Sequence, residues 1–345
     1  MSVFTVYNIG TGHASNEQAN LLVRLFNRTV GIDARQDRPG RAAQYRYIND
    51  GIGKSYDART GRVSTNMFAQ ATGWGLKDKT EETVDVIRRI NPRVVNLVGH
   101  SRGAIIAVRT AAKLSKRAPD ITCNLFLVDP VKRSFLGKDE DNAATHGNVR
   151  LFRQILMESE SSWLFEPQKM SHSSAATNSV RLPGSHGSAT QTGQPIGVVA
   201  YMLAVNFLRL CGTALSDTPF SPVQMADAYA QITLMNPVHR RNGVVGREVA
   251  NWDGQREKKF RGATDRRLDS RFGAENPYLH HAYFVNNDHA RAFMQSFPNT
   301  FLALTGKVRV DRLMGRALQR ELQQMRAQAA RAFQTLPTAY REFAG

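Results

Sequence analysis

The sequence predicts an α/β fold, a mostly parallel sheet flanked by helices, and three observations carry that prediction. Strand-like and helix-like segments alternate through the first 210 residues, as a parallel sheet with helical crossovers requires. Two runs, Val94–Val98 and Cys123–Val128, are apolar almost throughout, the pattern of strands covered on both faces. The 345 residues can bury a full core, and 41% apolar with 22% charged residues is the balance of a folded chain.

Taken in order, Val3–Ile9 reads as a strand ending in Gly10-Thr11-Gly12. Asn16–Asn27 reads as a helix with Leu21, Leu22, Leu25 and Phe26 on one face. Tyr45–Ile48 is a short second strand closed by Asn49-Asp50-Gly51. Thr80–Ile90 is helical by period, Val94–Val98 is a buried strand, and Arg102–Ala118 is the next helix. Cys123–Val128 is another buried strand, leading into Asp129-Pro130-Val131. The stretch 132–179 is polar at first and reads as helical around Val149–Met157, a lid-like insertion. Asn178–Leu182 is a short strand broken by Pro183-Gly184, and Ile196–Leu208 is a buried helix too short to span a bilayer. Residues 1–210 therefore form the core, and 211–345 a mostly helical basic extension packed on it. Within that extension, Trp252–Phe272 holds seven Lys or Arg against four Asp or Glu. Leu318, Leu322, Met325, Ala329 and Phe333 make the apolar stripe of a basic amphipathic helix.

The chemistry concentrates at Gly99-His100-Ser101-Arg102-Gly103, between a buried strand and a helix. That is the setting of a nucleophile elbow, in which a serine is exposed on a sharp strand-to-helix turn. The glycines on either side remove Cβ atoms that would strike the neighbouring strand and helix. A serine hydroxyl needs a base to take its proton and an acid to orient that base. Asp129, at the end of the next buried strand, lies at the same sheet edge as Ser101 and is the candidate acid. The competing reading makes it a turn residue before Pro130.

Nine histidines compete for the base. His186, in the turn Pro183-Gly-Ser-His186 after a strand, is preferred, and His280, His281 and His289 form the alternative cluster. His146, His172 and His239 lie in polar stretches and read as solvated. The oxyanion hole is expected from the backbone of Arg102 and of the loop carrying Thr11 and Gly12. Together these predict an α/β-hydrolase cleaving esters through an acyl-enzyme, with no cofactor and no metal. Cys123 and Cys211 sit in apolar runs and read as small buried residues.

The net charge of +17, from 46 Lys and Arg against 29 Asp and Glu, attracts polyanions. No helix-turn-helix, zinc-finger or RNP motif directs it to nucleic acid. Anionic lipid headgroups and an acidic partner protein remain, and charge alone does not choose between them; an anionic membrane surface fits, each basic residue near it contributing about 1 kcal/mol. The N-terminus has no basic region, apolar core and cleavage site in sequence, so synthesis in the cytoplasm without a signal peptide is expected.

Several motifs occur in order: Gly10-Thr11-Gly12, Asn20-Leu-Leu-Val-Arg-Leu25, Tyr45-Arg-Tyr47, Asp50-Gly-Ile-Gly53, Gly73-Trp-Gly75 and Gly99-His-Ser-Arg-Gly-Ala104. The chain thereby resembles the α/β-hydrolases that include bacterial type VI secretion phospholipase effectors, over about residues 3 to 210. Asp129-Pro-Val131 and Pro183-Gly-Ser-His186 are similar to that family's segments after the elbow. It departs at Ile9, where the family carries Asp, and after His186, where Gly-Ser-Ala-Thr-Gln191 replaces an acid-containing turn. The resemblance implies hydrolysis of a phospholipid or other lipid ester, of phospholipase A type. It also implies antibacterial delivery by a type VI route, with a cognate inhibitor protein or secretion component as partner. A soluble-substrate esterase or thioesterase, and a basic binding protein on a non-catalytic hydrolase core, are the competing readings.

Overall fold

The computed structural model describes residues 2–36, 40–57, 59–72, 74–131, 147–157, 176–182 and 185–216, with Phe220, Gln224, Met225, Ala228 and Tyr229. Seven strands form one sheet: β1 (Val3–Asn8), β2 (Ile32–Asp33), β3 (Gln44–Asn49), β6 (Val94–His100), β7 (Thr122–Val128), β8 (Val149–Met157) and β9 (Ala176–Leu182). Their order is β2-β3-β1-β6-β7-β8-β9, and every pairing is parallel. The intervening β4 (Lys54–Asp57) and β5 (Arg62–Thr65) make a separate antiparallel hairpin. This is the α/β-hydrolase-like architecture that the alternation of segments predicts.

Parallel pairing demands crossovers, and among the described residues helices flank both faces of the sheet. On one face α1 (Leu21–Arg28) and α5 (Pro195–Leu210) pack over Tyr7, Val98, Phe126 and Val128. On the other, α3 (Leu76–Ile90) and α4 (Arg102–Arg117) pack over Phe4, Val6, Val95, Leu97, Leu125 and Leu127. Along β6 and β7 successive apolar residues enter opposite cores, which is why both strands read as continuous apolar runs. Burying a Leu, Val or Phe side chain is worth about 1.5–3 kcal/mol, so these two layers dominate what holds the sheet together. A short α2 (Met67–Thr72) follows the hairpin. No helix among the described residues is long and apolar enough to cross a membrane.

The differences from sequence expectation are local. Helix α1 starts at Leu21 instead of Asn16, because Asn20 caps it, its side chain accepting from Leu22 N at 2.9 Å. Val149–Met157 is a strand, not a helix. The spacing of Val149, Phe152 and Leu156 imitates a helical face, but the open edge of β7 pairs with this segment through Val128 and Ile155. Tertiary pairing overrides a weak local period here. The lid-like stretch 132–179 accordingly loses its middle to the sheet, as well as Ala176–Ser179 to β9. Residues 132–146 and 158–175 lie outside the described residues, as do Trp252–Phe272 and the amphipathic segment 308–333. The hairpin and α2 escape sequence reading, since β4 and β5 are largely exposed and carry no apolar alternation.

The close packing of α4 on β1 rests on one missing side chain. A Cβ at Gly103 would strike the carbonyls of Asn8 and Ile9, both backbone and unable to move aside. Gly103→Ala is expected to lower the free energy of unfolding by at least about 1–3 kcal/mol. Denaturant titration checks this, and a curve superimposable on the wild type would contradict the close approach.

Candidate functional site

Strand β6 runs straight into α4 through Ser101, whose backbone holds φ 58° and ψ −130°. A non-glycine residue at positive φ costs on the order of 1–3 kcal/mol and persists only where its surroundings enforce it. They do so here. Ser101 N donates to Val128 O at 3.0 Å, and Ala104 N donates to Ser101 O at 3.0 Å. Gly99 lies so close to α4 that a Cβ would meet the Gly103 carbonyl and the Ala104 backbone. The turn therefore needs glycine on both sides of the serine, as the motif predicts. The first turn of α4 directs its positive dipole end toward the same place.

Asp129 follows β7 immediately and is fully buried. It too holds a positive φ, 44°, fixed by its N–H donating to Ile155 O at 2.8 Å. Its Oδ1 accepts from Met157 N at 2.8 Å, and its Oδ2 meets His186 Nδ1 at 2.6 Å. An isolated buried carboxylate is costly, and these two donors offset the loss of water. The short contact has His186 donating from Nδ1, which leaves Nε2 as the nitrogen able to accept a proton. Both partners are nearly inaccessible, with side-chain exposures of 5% for His186 and 0% for Asp129, so solvent screens the contact little.

His186 sits in the turn between β9 and α5, and that turn is anchored. Ser188 N and Oγ both donate to Ser185 O, at 3.1 and 2.7 Å. Beyond it, Thr192 N donates to Ala19 O at 3.2 Å, and Arg24 Nη1 donates to Thr192 Oγ1 at 2.7 Å. Below the His186 ring lies His100, with centroids 4.6 Å apart and planes inclined by 29°. Burial pushes the pKa of His100 well below its ordinary value and keeps the ring neutral.

The loop after β1 approaches the serine from the other side. A Cβ at Gly10 would strike His100 Nδ1 and come within 3.2 Å of Ser101 Cβ. The Gly12 N–H donates to Ile52 O at 3.1 Å, so it is spent on holding the loop and is removed from the expected oxyanion donors. Thr11 remains, since its N–H makes no hydrogen bond within the described residues. The Arg102 guanidinium donates from Nη1 to Thr11 Oγ1 at 3.2 Å and to Gln70 O at 2.6 Å. That side chain ties the loop and α2 to the elbow, a link with no signature in the sequence. Nearby, His13 Nδ1 meets Glu17 Oε2 at 2.6 Å in a half-exposed pair.

The structure thus brings together Ser101, Asp129, His186, Arg102 and Thr11 at the C-terminal edge of the sheet. His280, His281, His289, His146, His172 and His239 lie outside the described residues. Among the described residues, no group of three or more His, Cys, Asp or Glu is arranged to hold a metal ion. Cys123 and Cys211 are free and buried, and burial pushes both thiols up to about 12.

Residues 68–234, just under half of the chain, match the Thioesterase domain family. No curated protein matches. Three chains among the solved structures match. One of them, "RedJ with PEG molecule bound in the active site", is 12% identical over 54% of this chain and 86% of its own, with a TM-score of 0.33. The parallel sheet and the elbow are α/β-hydrolase-like, and within that fold residues 68–234 are similar to domains of the thioesterase kind.

Depressed ionisation of His100 carries a stability consequence. The unfolded chain binds a proton below about pH 6.5 that the folded chain refuses, and His186, His13 and Asp129 are the charged or titratable groups acting on that ring. The stability involved is complete above that pH and is lost as pH falls toward the folded-state value, by up to ~1.4 kcal/mol per pH unit. Unfolding curves between about pH 7.5 and about pH 5 should therefore be flatter with pH in His100→Phe than in the wild type. Equal slopes would contradict a neutral buried His100.

Proposed function

We propose that this protein is a serine hydrolase that cleaves carboxylic esters or thioesters through an acyl-enzyme on Ser101. The observation that carries the reading is the 2.6 Å His186–Asp129 contact beside a strained serine elbow. His186 Nε2 takes the proton of Ser101 Oγ as Oγ attacks the carbonyl carbon. The oxygen that gains the negative charge is held by the N–H groups of Arg102 and Thr11. Collapse breaks the bond to the leaving oxygen or sulfur, which receives the proton from His186. Water then attacks the acyl-Ser101 ester, passing its proton to His186, and the carboxylic acid departs as Ser101 recovers its hydrogen. Asp129 stays ionised and holds the imidazole in the required tautomer.

The Thioesterase domain match supports a thioester or a simple ester as the bond cut. A second reading is favoured by the net charge of +17. In it the ester belongs to a phospholipid met at an anionic membrane, and the chain is an antibacterial effector. A cognate inhibitor protein and a secretion component would then be its partners. The motif resemblance supports this reading, and the substrate separates it from the first.

Hydrolysis assays on matched acyl esters, acyl thioesters and phospholipids test both. Ser101→Ala should lower turnover by more than about 10³-fold, and Asp129→Asn by on the order of 10²- to 10⁴-fold with little change in KM. An active Ser101→Ala variant would sink the proposal. For the membrane reading, binding to vesicles rich in phosphatidylglycerol should weaken as salt rises. Indifference to lipid charge, with thioester turnover intact, would leave the first reading alone.

A further inference from the structure

Strand β6 ends on His100, one residue before Ser101, and this histidine is hard to account for as a core residue. It is 2% exposed, neither ring nitrogen makes a well-formed hydrogen bond among the described residues, and the polar group acting on the ring at closest range is the backbone of His186. A buried imidazole with both nitrogens poorly met costs stability that an apolar side chain would not. Its ring, however, is packed on two sides. Gly10 lies against one edge so tightly that any Cβ there would strike Nδ1. The other side stacks on His186 at 4.6 Å and 29°, an offset arrangement favourable for two flat rings. His100 belongs to a strand paired on both sides, whereas His186 belongs to a turn.

We propose that His100 is the positioning residue of His186: its ring is a platform, fixed by β6 and Gly10, that sets the plane of the base. This deepens the serine-hydrolase reading above and rests on it. Held in that plane, His186 keeps Nδ1 on Asp129 and offers Nε2 to Ser101. When His186 gains a proton during turnover, the uncharged face beneath it accepts the positive charge as an aromatic ring accepts a cation. Glycine at position 10 is then required to let the loop close over the platform. His100 acts through the His186 ring.

Three variants test this: His100→Ala, His100→Leu and His100→Phe. Loss of the platform should reduce kcat roughly 10- to 100-fold in the Ala and Leu variants, with KM within about twofold, as expected when a reacting group is misplaced by a fraction of an ångström. The Phe variant should recover most of that loss. The second readout needs no substrate: the downfield NMR resonance of the His186 Nδ1 proton bonded to Asp129. It should be sharp in the wild type and His100→Phe, and broadened or absent in His100→Leu. His100→Leu preserves apolar bulk, so it reports on the flat ring even where His100→Ala fails to fold. Wild-type kcat with a sharp resonance in His100→Leu would overturn the proposal. So would a folded Phe variant as impaired as Leu in both readouts. An inactive wild type with the resonance pattern as described would refute the hydrolase reading and leave the platform standing.

Discussion

Asp129 carries a carboxylate with no contact with water, and the rest of the site is arranged around keeping it there. Its two oxygens are met by Met157 N and His186 Nδ1, and its own N–H is taken by Ile155 O. Two of these three partners lie on β8, so the acid is held in place only if that strand joins the sheet. Withdrawing either donor would leave a buried charge less well met, a penalty of several kcal/mol. The His186 contact therefore fixes more than one imidazole. It joins the end of β7 to the turn before α5, and through Thr192 and Arg24 that turn is joined to α1.

The serine is held by a different device, steric and not electrostatic. Ser101 keeps its unfavourable backbone because Gly99 and Gly103 let α4 lie against β6 and β1. Strain of a few kcal/mol is carried by the two apolar layers on either face of the sheet. Arg102 then works twice. Its N–H opens the helix beside the serine, and its guanidinium holds Thr11 and Gln70 so that the loop after β1 cannot drift from the elbow. Burial lowers the pKa of this guanidinium from its ordinary value, without removing its charge.

Much of this was legible in the residues, and where it was not the reasons are physical. Continuous apolar runs marked β6 and β7 because both faces of each strand enter a core, and the glycine spacing marked the elbow because backbone approach leaves no room for Cβ. His186 was singled out by its turn after a strand, where the structure sets it on Asp129, though nothing local separated it from the late histidines. β8 misled because Val149, Phe152 and Leu156 share helical spacing, while the edge it pairs with is remote in sequence. Gly12 as an oxyanion donor misled because composition does not say which amide of a turn is already bonded to Ile52. The grip of Arg102 on the Gln70 carbonyl left no trace, since a carbonyl acceptor can come from any residue. His100 stood in the motif in plain view, but its stacking partner is 86 positions away.

The central claim is that carbonyl chemistry passes through Ser101 as a covalent intermediate. Rapid-quench digestion and mass spectrometry, during turnover of an activated acyl ester, test it most directly. An acyl group is expected on the peptide containing Ser101, accumulating in Asp129→Asn if deacylation is slowed and absent from Ser101→Ala. Turnover with no adduct, or with the acyl group on another residue, would contradict it.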